Sequence, residues 1–282
     1  MGGAPGTIAG MWRVHRRLAR LLAIGFLAAA AAAAAGCGSG DGEPGSPYSP
    51  LPTGSSAAPS TQPPATPSTA PTAEVRYRFD SGLSGDVYDE GRRLPLRARA
   101  EAGGELRAVP RGTGYAVRFP ERCAAGPQAP GCPRAILESG PAGLLNPGTR
   151  PVLFGASVRI TPAQEAVGAN VLQKGFSTAG SQFKLQVDRG RASCVVADAR
   201  DKRIHVAQAP QPVVDGEWHT LACERRGTRL AIVVDGAQRY EVAVPAELTI
   251  DNDEPLRIGG KSLGPGNDQF SGEIDDVYVV IE

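Results

Sequence analysis

Residues 218–244 read WHTLACERRGTRLAIVVDGAQRYEVAV, and this stretch decides the fold class. Residues 221–225, 228–234 and 238–244 are short apolar or alternating runs, the last with the period of two of a strand with one buried face. Arg226-Gly227 and Asp235-Gly236 separate the three runs. Glycine accepts positive φ without penalty and aspartate tolerates it, so both dipeptides suit two-residue hairpin turns. The stretch is therefore an antiparallel meander.

The same period extends outward. Val152, Phe154, Ala156, Val158 and Ile160 alternate with Leu153, Gly155, Ser157 and Arg159, and Phe183, Leu185 and Val187 alternate with Gln182, Lys184 and Gln186. Each strand has a core face and a wetter face. From residue 74 to the C-terminus, short runs of this kind are punctuated by Gly, Pro, Asp and Asn, and no 3.6-residue period appears. A dozen or more such strands predict one all-β domain, residues 74–282, built as two packed antiparallel sheets.

Four motifs in fixed order then carry a resemblance: Asp215-Gly216-Glu217-Trp218-His219, Val233-Val234-Asp235-Gly236, Leu256-Arg257-Ile258-Gly259-Gly260, and 270–277, Phe-Ser-Gly-Glu-Ile-Asp-Asp-Val. The series resembles the laminin G-like family of the concanavalin A-like lectin and glucanase superfamily. Tyr77-Arg78-Phe79-Asp80 resembles its usual first strand. The resemblance implies a jelly-roll β-sandwich.

The N-terminal quarter is a different material. Arg13, Arg16, Arg17 and Arg20 precede a fifteen-residue apolar stretch, 21–35, and Ala34-Ala35-Gly36-Cys37 follows. A basic region, a short apolar core and a small-residue site make residues 1–36 a signal peptide, and fifteen Ala-rich residues are too few and too weakly apolar for a spanning helix. The site resembles a bacterial lipobox, although Ala34 stands where Leu is usual. The resemblance implies a diacylglyceryl group on Cys37 and a lipid anchor at the extracellular face of the cell membrane. Arg16-Arg17 leaves general secretory and twin-arginine export both open. Residues 38–73 hold nine prolines among Ser, Thr, Gly and Ala. Such a segment cannot bury enough apolar surface to fold, and in polyproline II it reaches at most roughly 110 Å. Residues 37–73 are thus a lipidated cysteine followed by a disordered stalk.

Loss of residues 1–36 leaves 26 basic and 29 acidic residues in the mature chain, a charge balance that does not point to nucleic acid. Four cysteines then remain beside Cys37, an even number in an exported chain. Three pairings are possible. Cys123 with Cys132 closes a Pro- and Gly-rich loop, and Cys194 with Cys223 joins two predicted strands taken as neighbours. The spacing does not suit zinc.

Catalytic patterns fail on inspection. Glycan hydrolases of the superfamily carry Glu-x-Asp-x-Glu on one strand face, whereas Glu273-Ile274-Asp275-Asp276-Val277 ends in a side chain that cannot carry a proton. Residues 260–264 spell Gly-x-Ser-x-Gly, but Pro265, Gly266 and Asn267 block the helix that a nucleophile elbow requires. His205 stands alone on a predicted strand, and Trp218 is expected in the core. The reading is a non-catalytic binding domain for carbohydrate or another envelope component, or else a structural or protein-interaction domain with no small ligand. Candidate ligand residues are Lys174 and Phe176 in one loop region and Asn267 and Asp268 in another. No cofactor is expected beyond a structural Ca2+, which the resemblance implies at Asp80 and Asp276, where first and last strands meet.

Overall fold

A computed structural model describes residues 73–126 and 128–282. The signal peptide, Cys37 and the stalk lie outside the described residues, apart from Ala73. Fifteen strands and two short 3-10 turns are present: β1 Ala73–Tyr77, β2 Leu96–Glu101, β3 Arg107–Arg111, β4 Gly114–Phe119, β5 Arg134–Pro141, β6 Val152–Arg159, β7 Ala169–Gly175, β8 Gln182–Asp188, β9 Arg191–Ala197, β10 Ile204–Pro212, β11 Trp218–Arg226, β12 Arg229–Val234, β13 Gln238–Ala243, β14 Pro255–Ile258 and β15 Gly272–Ile281. Among the described residues no helix is long and apolar enough to cross a membrane.

The strands form two antiparallel sheets. One is eight-stranded, ordered β13-β12-β11-β6-β15-β4-β3, with β1 also paired to β15. The other is seven-stranded, ordered β10-β9-β8-β7-β14-β5-β2. Successive segments cross between the sheets, β6 in the first, β7 to β10 in the second, β11 to β13 in the first, as in a jelly roll. The meander read from 218–244 is β11-β12-β13, and its second turn carries positive φ at both Asp235 (54°) and Gly236 (70°), with Val234 paired to Gln238 across it. The first strand ends at Tyr77, so the expected strand residues Arg78, Phe79 and Asp80 fall beyond it; Phe79 already has φ of 55°.

The inward positions of both sheets close over a shared core. Phe154 on β6 meets Phe183 on β8, ring centroids 4.9 Å apart, and Phe119 meets Phe270 edge to face at 5.7 Å. Both predicted disulfides are present. Cys194 and Cys223 do not lie on neighbouring strands, however. Cys194 belongs to β9 in the seven-stranded sheet and Cys223 to β11 in the eight-stranded sheet, with Cα atoms 5.6 Å apart, so the bond staples the two layers through the core. Alternation put each cysteine on a core face, but sequence does not say whether two such faces are side by side or opposite.

Two buried cations fix the loops at one end. Arg225, 1 % exposed, donates to the carbonyls of Thr149, Arg150, Ala246 and Leu248, tying the segment before β6 to the segment after β13. Lys174, fully buried at the end of β7, donates from Nζ to Asn146 Oδ1 (2.6 Å), the Asn252 carbonyl (2.7 Å) and Asn252 Oδ1 (2.8 Å). Burial pushes its pKa down to about 8, against the opposing pull of Asp251, Asp253 and Glu254.

Candidate binding site

The outer face of the eight-stranded sheet holds a recess of about 370 Å³. Its origin is a row of small side chains on the two central strands. Tyr278 on β15 pairs with Gly155 on β6, Gly155 with Ala222 on β11, and Ala222 with Val233 on β12. Gly155 lets the Tyr278 ring lie down across β6, and Ala222 forms a low floor between that ring and Val233. A side chain at position 155 does not fit: its Cβ would stand 2.7 Å from the Tyr278 ring and 2.4 Å from the Leu221 carbonyl. The next row places Ser157 opposite Thr220 and adds two hydroxyls.

A β-bulge in β15 shapes the polar end. Asp275 pairs with Ser157 and Tyr278 with Gly155, so Asp276 and Val277 together oppose Ala156. Asp276 takes φ of 49°, which aspartate tolerates, and lines the recess, while Val277 turns into the core. Asp276 Oδ2 accepts from Ser157 Oγ (3.1 Å) and Arg111 Nη1 (2.6 Å). Arg111 also binds Asp275 at 2.6 Å. Burial raises the Asp275 pKa, and the hydrogen bond from Arg111 partly restores it. The Tyr278 hydroxyl makes no hydrogen bond among the described residues, and burial of the phenol raises its pKa.

The expected ligand residues do not assemble into one site. Lys174 is at the end of β7, and Asp268 reaches the start of the same strand, its carbonyl accepting from Asn170 N at 2.9 Å. Four residues of strand, roughly 13 Å, separate them. Lys174 is enclosed by Asn146 and Asn252 and presents nothing to solvent. Phe176 lies under the Arg257 guanidinium, 5.1 Å from the ring centroid. Asn267, 1 % exposed, donates to the Ser262 carbonyl and Gln269 Oε1, and the Asp268 carboxylate accepts from Lys184 and Lys261. The last two residues line a second groove of about 490 Å³ beside the Cys123–Cys132 loop. Its polar groups already hold loops together: the Arg134 guanidinium, for instance, binds the carbonyls of Pro130, Cys132 and Leu263. In the recess Ser157 and Thr220 are engaged by Asp276 and Asp235, but the Tyr278 hydroxyl and the Nη ends of Arg76 and Arg78 have no partner among the described residues, and it is the better site.

Asp80 and Asp276 do not fit a calcium ion. Arg111 already supplies the positive charge at Asp276, Asp80 packs its carboxylate against Gly114, and no group of three or more His, Cys, Asp or Glu suited to a metal occurs among the described residues. Trp218 is also not in the core. It sits half-buried on the outer face with Arg111 4.1 Å and Arg159 5.5 Å from its ring. His219 lies between Asp235 (2.8 Å) and Asp215 (3.1 Å); burial works against its charge, but these two bonds outweigh it and raise the pKa.

The architecture and the recess define a jelly-roll β-sandwich with a shallow site on a sheet face. Residues 154–280 match the family model described as the concanavalin A-like lectin/glucanases superfamily, in its laminin G-type group. No curated protein matches the sequence. Among solved structures, domain 4 of the GH43 extracellular arabinanase AbnA from Geobacillus stearothermophilus, solved with arabinotriose, is similar at 13 % identity and TM-score 0.54, covering 73 % of this chain and 91 % of that one. The binding domain of Paraclostridial Mosquitocidal Protein 1 is similar at 11 % identity and TM-score 0.52, covering 73 % and 48 %. The binding domain of botulinum neurotoxin DC, solved with rat synaptotagmin II, is similar at 10 % identity and TM-score 0.53, again covering 73 % and 48 %. This chain thus spans about half the length of the two toxin domains, and the likenesses are of fold.

Proposed function

We propose that this protein is a non-catalytic binding module, anchored by lipid at Cys37 to the extracellular face of a bacterial cell membrane and displayed on the Pro-rich stalk, with a glycan as ligand of the sheet-face recess. The observation that carries the reading is the recess itself: a floor at Ala222, the Tyr278 ring laid across Gly155, and the hydroxyls of Ser157 and Thr220 beside the Asp276 carboxylate. An apolar floor with a few placed polar groups is the usual composition of a small-ligand site, and sugar rings present an apolar face and an edge of hydroxyls. The arabinotriose held by the arabinanase domain is in keeping with this choice.

The non-catalytic part rests on how the acidic residues are engaged. Glu273 accepts from both Arg118 (2.6 Å) and Arg159 (2.8 Å), and Asp275 from Arg111, so each carboxylate is matched to a fixed cation. Neither has the freedom of a general acid that must carry and release a proton.

Purified protein applied to a glycan array is expected to show binding to a defined subset of structures, competed by the same sugar in solution. Uniform silence would instead favour the protein-interaction reading.

A further inference from the structure

We infer that the glycan in the recess carries an anionic group, a carboxylate or a sulfate ester, received by Arg76 and Arg78. The inference rests on the recess being the glycan site. Both arginines line it on the Tyr278 side, Arg76 on β1 and Arg78 just beyond its end. Each guanidinium is held from behind through Nε. Arg76 Nε donates to Glu74, and Arg78 Nε pairs with Glu90 at 2.6 Å. Arg76 is fixed a second time, its guanidinium carbon 5.1 Å from the centroid of the Tyr278 ring.

No other hydrogen bond or ion pair engages either guanidinium among the described residues, so the Nη ends remain for a ligand. A planar guanidinium paired at Nε and open at Nη presents two parallel N–H donors to the two oxygens of a carboxylate or sulfate. The remaining charged group of the lining, Asp276, is already matched by Arg111 and does not compete for the two arginines. Because Glu74 and Glu90 balance the charge, the pair selects by fork geometry at short range and contributes little long-range steering.

The test titrates the purified full-length protein with three oligosaccharides of equal length: one of uronic acids, its carboxyl-reduced neutral counterpart, and a sulfated one. At least one anionic probe is expected to bind more tightly than the neutral one by about tenfold or more, the usual worth of a charge-assisted bidentate contact. Which of the two prevails identifies the anion. Arg76→Gln combined with Arg78→Gln should remove the preference, so that the acidic and carboxyl-reduced probes bind alike. Arg76→Lys, which keeps charge and loses the fork, should lose much of it. Equal affinity for acidic and reduced probes, or a preference that survives the double substitution, overturns the inference and leaves the glycan site standing. Failure of every saccharide, charged or neutral, on probes and array alike, overturns both.

Discussion

Replacing Cys194 and Cys223 together by alanine is expected to destabilise the folded domain by about 4 kcal/mol. The bond closes a segment of sequence separation 29, and the chain-entropy model assigns a loop of that size roughly 3.6 kcal/mol. Both sulfurs are fully buried, and deleting them leaves a small void between the sheets that adds about 0.5–1 kcal/mol. For a domain of this size the sum corresponds to a fall in Tm on the order of 10 °C. The Cys123–Cys132 pair, with a sequence separation of 9 beside an open groove, should matter less. Chemical denaturation of the two double variants checks the order. A larger loss at Cys123 and Cys132, or less than about 1 kcal/mol at the core pair, would mean that the core staple is not what holds the layers together.

Arg225→Met should cost at least about 3 kcal/mol. Methionine fills most of the space and removes the buried charge, yet it strands the carbonyls of Thr149, Arg150, Ala246 and Leu248. Each unsatisfied buried acceptor costs about 1–3 kcal/mol, partly relieved where water enters. Burial lowers the arginine's own pKa, and its Nε has no partner among the described residues, so the cation is held at a cost that the four carbonyls must offset. The neighbouring Arg226→Met removes a half-exposed pair with Glu282 and should change stability by under about 1 kcal/mol. If urea unfolding finds the two substitutions alike, the loop ends are held by something other than Arg225.

These two side chains also mark the limit of what the chain discloses before it is folded. The meander was legible because three short apolar or alternating runs and an Asp-Gly turn are adjacent, and local signals suffice there. The cysteine partners were legible from parity and position, while the inter-sheet direction of one bond needed the layer order. The recess was hidden for the same reason. Gly155 and Ser157 were visible on the wetter face of their strand, but Ala222, Thr220 and Tyr278 join them only through the pairing of β6 with β11 and β15, strands far apart in sequence. The bulge at Asp276 disguised the site further, because strict alternation puts Val277 on the outer face, and the extra residue sends it into the core. Lys174 misled in the opposite way: a lysine at a strand end next to glycine invites a ligand role, and here its ammonium is enclosed by two asparagines that hold neighbouring loops.

The central claim, that the recess on the eight-stranded sheet is where this module takes its glycan, is tested most directly by filling it. Ala222 points outward from the floor of the recess and carries none of the polar contacts described above, so Ala222→Trp blocks the space without disturbing them. Titration of the best array ligand into wild-type and Ala222→Trp protein of equal melting temperature should show binding reduced by about a hundredfold or abolished, since steric exclusion removes the whole site and not a single contact. Affinity unchanged in Ala222→Trp would place the ligand elsewhere on the molecule and contradict the account.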